Sequence, residues 1–169
     1  MKRIFAVALS LILTVALAAC GTSVSQSNEF VSIDESSSYE SVGGTRLRMS
    51  TENTEVIITL NDSRAAADLA AMLPLELTLI ERNSFAKGMT LPERLSSEEA
   101  TTREYEIGDF GYWNAGPDLA IFYDDIYEQT IVEVIPLGHA ESGAEILANE
   151  NGTVRLELLT NEGEKTENG

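Results

Sequence analysis

Apolar and polar side chains alternate along this chain in short runs, and each run stops at a turn former. Leu47 and Met49 share one face of Arg46–Ser50, with Arg46 and Arg48 on the other. After a polar, turn-like Thr51–Thr54, Glu55–Leu60 resumes the alternation with Val56, Ile58 and Leu60. Leu75, Leu77 and Leu79 repeat the pattern in Leu75–Glu81, as do Val154, Leu156 and Leu158 in Thr153–Leu159, where Arg155 and Glu157 face out. A period of two is strand periodicity with one face buried. The first two runs read as a hairpin.

Between Glu104 and Asp125 the chain concentrates its aromatic residues, seven of eleven lying between Tyr105 and Tyr127. Each aromatic buries a large area and dictates geometry, so this stretch serves either a core or a lined pocket. It divides into an extended Glu104–Ile107, a turn at Gly108-Asp109, and a strand over Phe110–Trp113. A second turn over Asn114–Asp118 and a nearly all-apolar strand, Leu119–Tyr123, complete it. The spacing makes Phe110–Tyr123 a central hairpin.

Helical signals are few. Asn61-Asp62-Ser63 precedes a stripe of Ala66, Leu69, Ala70 and Leu73 at i, i+3, i+4 and i+7, with Asp62 expected as N-cap and Pro74 as stop. Arg64 is the one cation in this helix, which argues against a membrane-active face. Ser142–Asn149 reads as a short helix carrying Ala144, Ile146 and Leu147, with Gly152 just past its end. Ser96–Glu99 can form one helical turn. Arg82–Gly88 reads as a loop holding Phe85 and Lys87, Met89–Pro92 as a short extended piece, and Ile131–Leu137 as a further strand. Seven to eight short strands, two short helices and no βαβ rhythm make the chain mostly β, a small closed antiparallel barrel.

The N-terminus has a different logic. Met1-Lys2-Arg3 is a positive n-region, and Ile4–Leu17 is apolar except for Ser10 and Thr14. The run is shorter than the ~20 residues of a membrane span and matches a signal-peptide core. It ends in Leu17-Ala18-Ala19-Cys20-Gly21, which resembles the bacterial lipobox, and Cys20 is the only cysteine in the chain. We therefore expect a signal peptide over residues 1–19, lipid attachment at Cys20 and a flexible Ser-rich linker over 20–45. The barrel domain then spans 46–160, and a polar tail 161–169. The palmitate-type anchor places the protein on the extracytoplasmic face of the cell membrane. Lipidation consumes the single thiol, so no disulfide, thiol nucleophile or cysteine metal ligand is expected. A linker of this length spans roughly 28 Å, beyond the ~8 Å Debye length at physiological salt. Within it, Phe30–Ile33 reads as spacer rather than as a strand or partner-binding patch.

The formal net charge is −17; without Lys2 and Arg3 it is −19, from 9 Lys+Arg against 28 Asp+Glu. So acidic a surface repels phosphate backbones and excludes nucleic acid as a partner.

Gly108-Asp109, Tyr112-Trp113-Asn114-Ala115-Gly116 and Leu119–Tyr123 together resemble the centre of the bacterial cyclophilin-like domain family. Ala71-Met72-Leu73-Pro74, Leu91-Pro92, Leu137-Gly138 and Val154–Leu158 follow in the matching order. The resemblance covers Arg46–Leu159. It departs at Asn114-Ala115, where many members place a Pro before the Gly. It implies a closed eight-stranded barrel with helices at its ends. It does not imply prolyl isomerase activity, since the Phe-His-Arg and Gln-Gly-Gly runs of true cyclophilins are missing and the only glutamines are Gln26 and Gln129. Some members look fused to flavodoxin-like domains.

His139 is the lone histidine, which leaves no multi-histidine metal site and no Ser-His-Asp relay with a spare. At a strand end it reads as an exposed loop residue rather than an acid or base. Asp124, Asp125 and Glu128 form an acidic cluster that reads as solvated rather than as a Ca²⁺ site. The EF-hand echo at Asn149–Gly152 fails because Leu147 and Leu158 occupy the first and twelfth positions. No metal or cofactor is expected. The candidate ligand-binding residues are Tyr112 and Trp113, with Arg82 and Arg103 as partners for a carboxylate or peptide carbonyl. The chain thus reads as a non-catalytic module for a peptide or small ligand. The alternatives are a prolyl isomerase with a rearranged site, or an accessory of an extracytoplasmic redox or transport system.

Overall fold

The structure, a computed structural model, describes residues 39–159. The expected signal peptide, lipid attachment at Cys20, the expected linker up to residue 38 and the expected tail from residue 160 fall outside these residues.

Eight strands close into an antiparallel barrel. They are β1 (Arg46–Ser50), β2 (Glu55–Leu60), β3 (Leu75–Arg82), β4 (Ala86–Thr90), β5 (Asp109–Trp113), β6 (Asp118–Phe122), β7 (Ile135–Ala140) and β8 (Gly152–Leu158). The order around the barrel is β1-β2-β7-β5-β6-β4-β3-β8, so β8 returns to β1 and no edge remains. Closure removes the open row of N–H and C=O groups that an edge strand exposes.

Alternation fills the interior. Leu47 pairs with Ile58 and Met49 with Val56 across β1 and β2, and Leu77 pairs with Val154 across β3 and β8. Phe110, Tyr112, Leu119 and Ile121 join them from β5 and β6. Helix α1 (Arg64–Met72) links β2 to β3 at one end, burying Ala65, Ala66 and Leu69. A 3-10 helix, Ala144–Asn149, links β7 to β8 at the other end and buries Ala144 and Leu147. The barrel is a filled core, closed at both ends.

Several local expectations shift. The N-cap of α1 is Ser63, whose hydroxyl accepts the Ala66 N–H at 3.1 Å, while Asp62 is exposed. Ser63 has the extended backbone that a cap needs, and its Oγ lies within reach of the third helical N–H. The expected loop over Arg82–Gly88 shrinks to a tight turn because Asn83 and Ser84 both adopt positive φ. Lys87 therefore lies within β4. Ser96–Glu99 forms no helical turn. The strand expected over Ile131–Leu137 starts instead at Ile135 and runs to Ala140. Ile131 and Val132 are exposed, and their β-branched side chains mimicked a strand without a partner to bury them. Leu158, expected inward, is exposed at the end of β8.

Residues 39–45 lie against the barrel. Val42 packs on the core, Gly44 N–H donates to Leu60 O at 2.9 Å, and Tyr39 OH donates to Asp62 O at 3.0 Å.

Candidate functional site

Strand alternation gives the barrel a second apolar surface on its outside. Outward from β4, β5 and β6 come Ala86, Gly88, Gly111, Trp113, Ala120 and Phe122. The small residues form a floor. On it rests a cluster of Phe85, Ala86, Tyr105, Ala120, Phe122 and Val134, with Trp113 packed against it. The ring of Tyr105 lies 4.6 Å from that of Phe122 and 5.1 Å from that of Phe85.

Two irregular segments cover part of this floor. Thr102 and Val134 form an antiparallel bridge, and Tyr127 N–H donates to Tyr105 OH at 3.0 Å. Gly111 is required here, because a Cβ at that position would overlap Val134 Cγ1. Where the cover stops, a cleft of about 320 Å³ opens. Arg82 and Phe85 come from the β3–β4 turn, Trp113 and Asp118 from the β5–β6 hairpin, and Ile131 and Val132 from the covering segment. Ile131 is 81% exposed on the rim.

Each wall is braced. Ser84 N–H donates to Glu81 Oε1 at 3.1 Å, and Phe85 N–H to Arg82 O at 3.2 Å. Gly116 N–H donates to Trp113 O at 3.2 Å, and Arg94 Nη1 to Asn114 O at 3.2 Å. Arg103 Nε donates to Thr130 O at 2.8 Å while Thr130 N–H donates to Arg103 O at 2.9 Å.

The sequence candidates separate. Arg82 and Trp113 come together, the Arg82 guanidinium carbon lying 5.9 Å from the centre of the Trp113 ring. Arg103 does not line the cleft; it holds Thr130, which does. Tyr112 points to the opposite face of β5 and is buried inside the barrel.

The polar atoms in the cleft wall are incompletely used. Arg82 Nη2 contacts Asp118 Oδ2 at 3.3 Å, and Thr90 Oγ1 donates to Asp118 Oδ1 at 2.5 Å. Arg82 Nε and Trp113 Nε1 are buried and have no hydrogen-bond partner among the described residues. Buried donors in native proteins are nearly always paired; of the three such exceptions among the described residues, these two sit in the cleft wall and the third, Tyr112 OH, inside the barrel. Sequence reasoning missed Asp118 and the Ile131-Val132 rim. Asp118 closes a turn and has no motif around it, while Ile131-Val132 carried a strand signature instead.

Three other concavities among the described residues are more polar or smaller. One of about 490 Å³ is lined by Thr51, Glu52, Asn53, Glu76, Glu150 and Arg155, among others. Its buried carboxylate, Glu150, already accepts from Thr51 Oγ1 at 2.8 Å and Thr54 Oγ1 at 2.9 Å. His139 is exposed, with Nδ1 2.9 Å from Asp109 Oδ1. Asp124, Asp125 and Glu128 are exposed, and no group of three or more His, Cys, Asp or Glu among the described residues is arranged to hold a metal ion.

Comparison with known proteins agrees with this architecture. The solution structure of the hypothetical protein AF2241 from Archaeoglobus fulgidus is similar at a TM-score of 0.59 and 21% identity, over 71% of this chain and 98% of that one. McbB, solved in complex with tryptophan, is similar at a TM-score of 0.50 and 13% identity, over 72% of this chain and 46% of its own. At such identities these likenesses speak to the fold. A comparison with curated proteins found no match. The model of the Cyclophilin-like family matches residues 49–158, well over half of the sequence, and on that ground, with the closed eight-stranded barrel, the chain belongs to the Cyclophilin-like family.

Proposed function

We propose that the protein is an extracytoplasmic lipoprotein whose cyclophilin-like barrel is a non-catalytic binding module for a peptide or small ligand. The observation that carries the binding role is the cleft between Arg82, Trp113 and Ile131. It is concave and largely apolar, framed by the ends of β3, β5 and β6, and two of its lining residues, Arg82 and Trp113, carry buried N–H donors with no partner among the described residues, the combination expected of a ligand site. The barrel interior is filled by its own side chains, so a ligand is taken on the outside. The membrane tether rests on Leu17-Ala18-Ala19-Cys20 after an apolar run, with Cys20 the only thiol in the chain. Two or more acyl chains give a stable anchor where one is marginal.

Binding is tested by NMR titration of the ¹⁵N-labelled protein with an apolar peptide panel. Shifts confined to the Trp113 indole and its neighbours support the reading, and a panel-wide absence of shifts refutes it. A protease-coupled proline-peptide assay checks the non-catalytic half. No acceleration over the uncatalysed rate is expected; a rate rising in proportion to protein concentration overturns it. A Cys20→Ser variant is expected to leave the membrane fraction, and one that stays there defeats the anchor.

A further inference from the structure

Two arginines of this domain use the same edge, Nε and Nη2, in different ways. Arg46 grips Glu141 with both atoms, at 2.7 and 2.9 Å. Arg82 offers Asp118 only Nη2, at 3.3 Å, and its Nε has no partner. A carboxylate engaged side-on satisfies both atoms, and such bidentate pairs are the stronger ones. Asp118 falls short because Thr90 Oγ1 holds its other oxygen. The Arg82 side chain lies across Gly88, where a Cβ would come within 2.7 Å of Nε. The side chain as a whole is 33% exposed while Nε itself is buried against Gly88, so the full edge is presented only when the guanidinium moves off that glycine.

The surrounding charge points the same way. Arg46, Arg48, Arg155 and Lys87 each pair with a glutamate. Arg94 and Arg103 instead donate to the carbonyls of Asn114 and Thr130, beside or within the cleft wall, and have no carboxylate partner among the described residues. Two guanidinium groups without a carboxylate partner among the described residues, those of Arg94 and Arg103, thus lie beside the cleft rather than in its lining. Trp113 Nε1 adds a neutral donor on the same wall, and Phe85, Ile131 and Val132 supply apolar contact.

From the half-used edge of Arg82, we infer that the cleft selects a ligand bearing a free carboxylate beside an apolar group, and that Asp118 holds Arg82 in place until that carboxylate displaces it. The inference rests on the binding role given above and names the class of ligand. The carboxylate engages Nε and Nη2 of Arg82 together, the guanidinium lifts from Gly88, and the Trp113 indole N–H becomes available as a further donor. The same chemistry is found in the C-terminus of a peptide and in a small N-acylated amino acid.

The test uses the full chain in detergent and the fluorescence of Trp113, the only tryptophan. Two sets of probes are titrated, N-acetyl amino acids and N-acetyl tripeptides, each ending in Leu, Ile, Val, Phe or Met. Every probe is supplied as the free acid and as the C-terminal amide. We expect at least one acid to bind about tenfold or more tighter than its amide. The Arg82→Gln variant is expected to erase that difference, and Asp118→Asn to tighten the acid. Circular dichroism of both variants verifies that the barrel is intact, and Arg82→Lys, which keeps the charge but loses the edge, is expected to fall between. Gain from the added residues assigns a peptide C-terminus; no gain assigns a small acid. Acids and amides binding equally would overturn the carboxylate inference and leave the binding role standing. If no probe of either kind binds, both fall.

Discussion

Lys87 Nζ lies 2.7 Å from Glu81 Oε2, with the lysine side chain 2% exposed and the glutamate 45%. The pair stands at one mouth of the barrel, where β3 and β4 meet in the Glu81–Lys87 register, and the 3-10 helix lies against β4. Tyr123 OH donates to Glu81 Oε1 at 2.8 Å, and Lys87 Nζ sits 5.5 Å from the Tyr123 ring centre. The charge of Lys87 is buried and has this one carboxylate to answer it. Glu81→Gln should therefore destabilise the fold by about 1–2 kcal/mol, less than the ~3–5 of a fully buried pair because Glu81 is half in water. Lys87→Met, which removes the buried charge and keeps the stem, should cost under about 1 kcal/mol. Urea unfolding of both variants checks the order; Lys87→Met proving the more damaging would refute the account.

The same cluster sets a pH dependence at each extreme. Burial raises the Glu81 carboxyl, but hydrogen bonds from Lys87 and Tyr123, the Lys87 charge and the Ser84 N–H outweigh it, and the net shift is downward. Glu141, through hydrogen bonds from Arg46, and Glu157, through those from Arg155 and Arg48, are lowered as well. A lowered folded-state value means that the unfolded chain takes up the proton first. Their contribution is whole above the ordinary carboxylate range near ~4 and is lost as pH falls below it, through the lowered folded-state values. Burial, then the Glu81 hydrogen bond and charge, push the Tyr123 phenol up to about 12. The stability it contributes is whole below about pH 10 and is lost as pH rises toward that value. Urea midpoints across pH should fall at both ends, and Tyr123→Phe should flatten the alkaline limb. An unchanged alkaline limb in that variant would count against the assignment.

The start of α1 separates two neighbouring residues. Ser63→Ala should cost about 1 kcal/mol, since it frees the Ala66 N–H, while Asp62→Ala should cost almost nothing. Thermal unfolding of the two variants decides it, and equal losses would return the cap to Asp62.

Gly111→Ala probes the cover over the outer face. The new methyl group would push on Val134 Cγ1, and Val134 is held by its bridge to Thr102. Hydrogen exchange at the Thr102 and Val134 amides should accelerate, while β1, β2 and β8 remain protected. Unaltered exchange at both amides would show that the cover does not rest on Gly111.

What could be read from the sequence was what alternation and turn chemistry encode. Leu47, Met49, Val56, Ile58, Val154 and Leu156 each announce an inward face, and each is buried. Trp113 and Arg82 were each named as candidates, the first as an aromatic beside a turn and the second as a possible partner for a carboxylate or carbonyl, but nothing in the sequence placed them side by side. The cleft itself was not legible. It depends on Ile131 and Val132, whose β-branching reads as strand, and on Asp118, whose role depends on Arg82, thirty-six residues earlier in the chain. Lys87 was hidden for a related reason. A lysine next to a glycine reads as loop, and only the positive φ of Asn83 and Ser84 shortens that loop enough to draw Lys87 into β4.

β5 writes on two surfaces at once. Phe110 and Tyr112 go to the sealed interior, and Gly111 and Trp113 to the outer floor. The two sets share a backbone but almost no side-chain neighbours. Substitutions at the outward positions, or changes in the length of the segment that carries Ile131, can therefore reshape the outer cleft without disturbing what holds the barrel together. Such a scaffold can keep one shape while its outer face diverges in shape and chemistry.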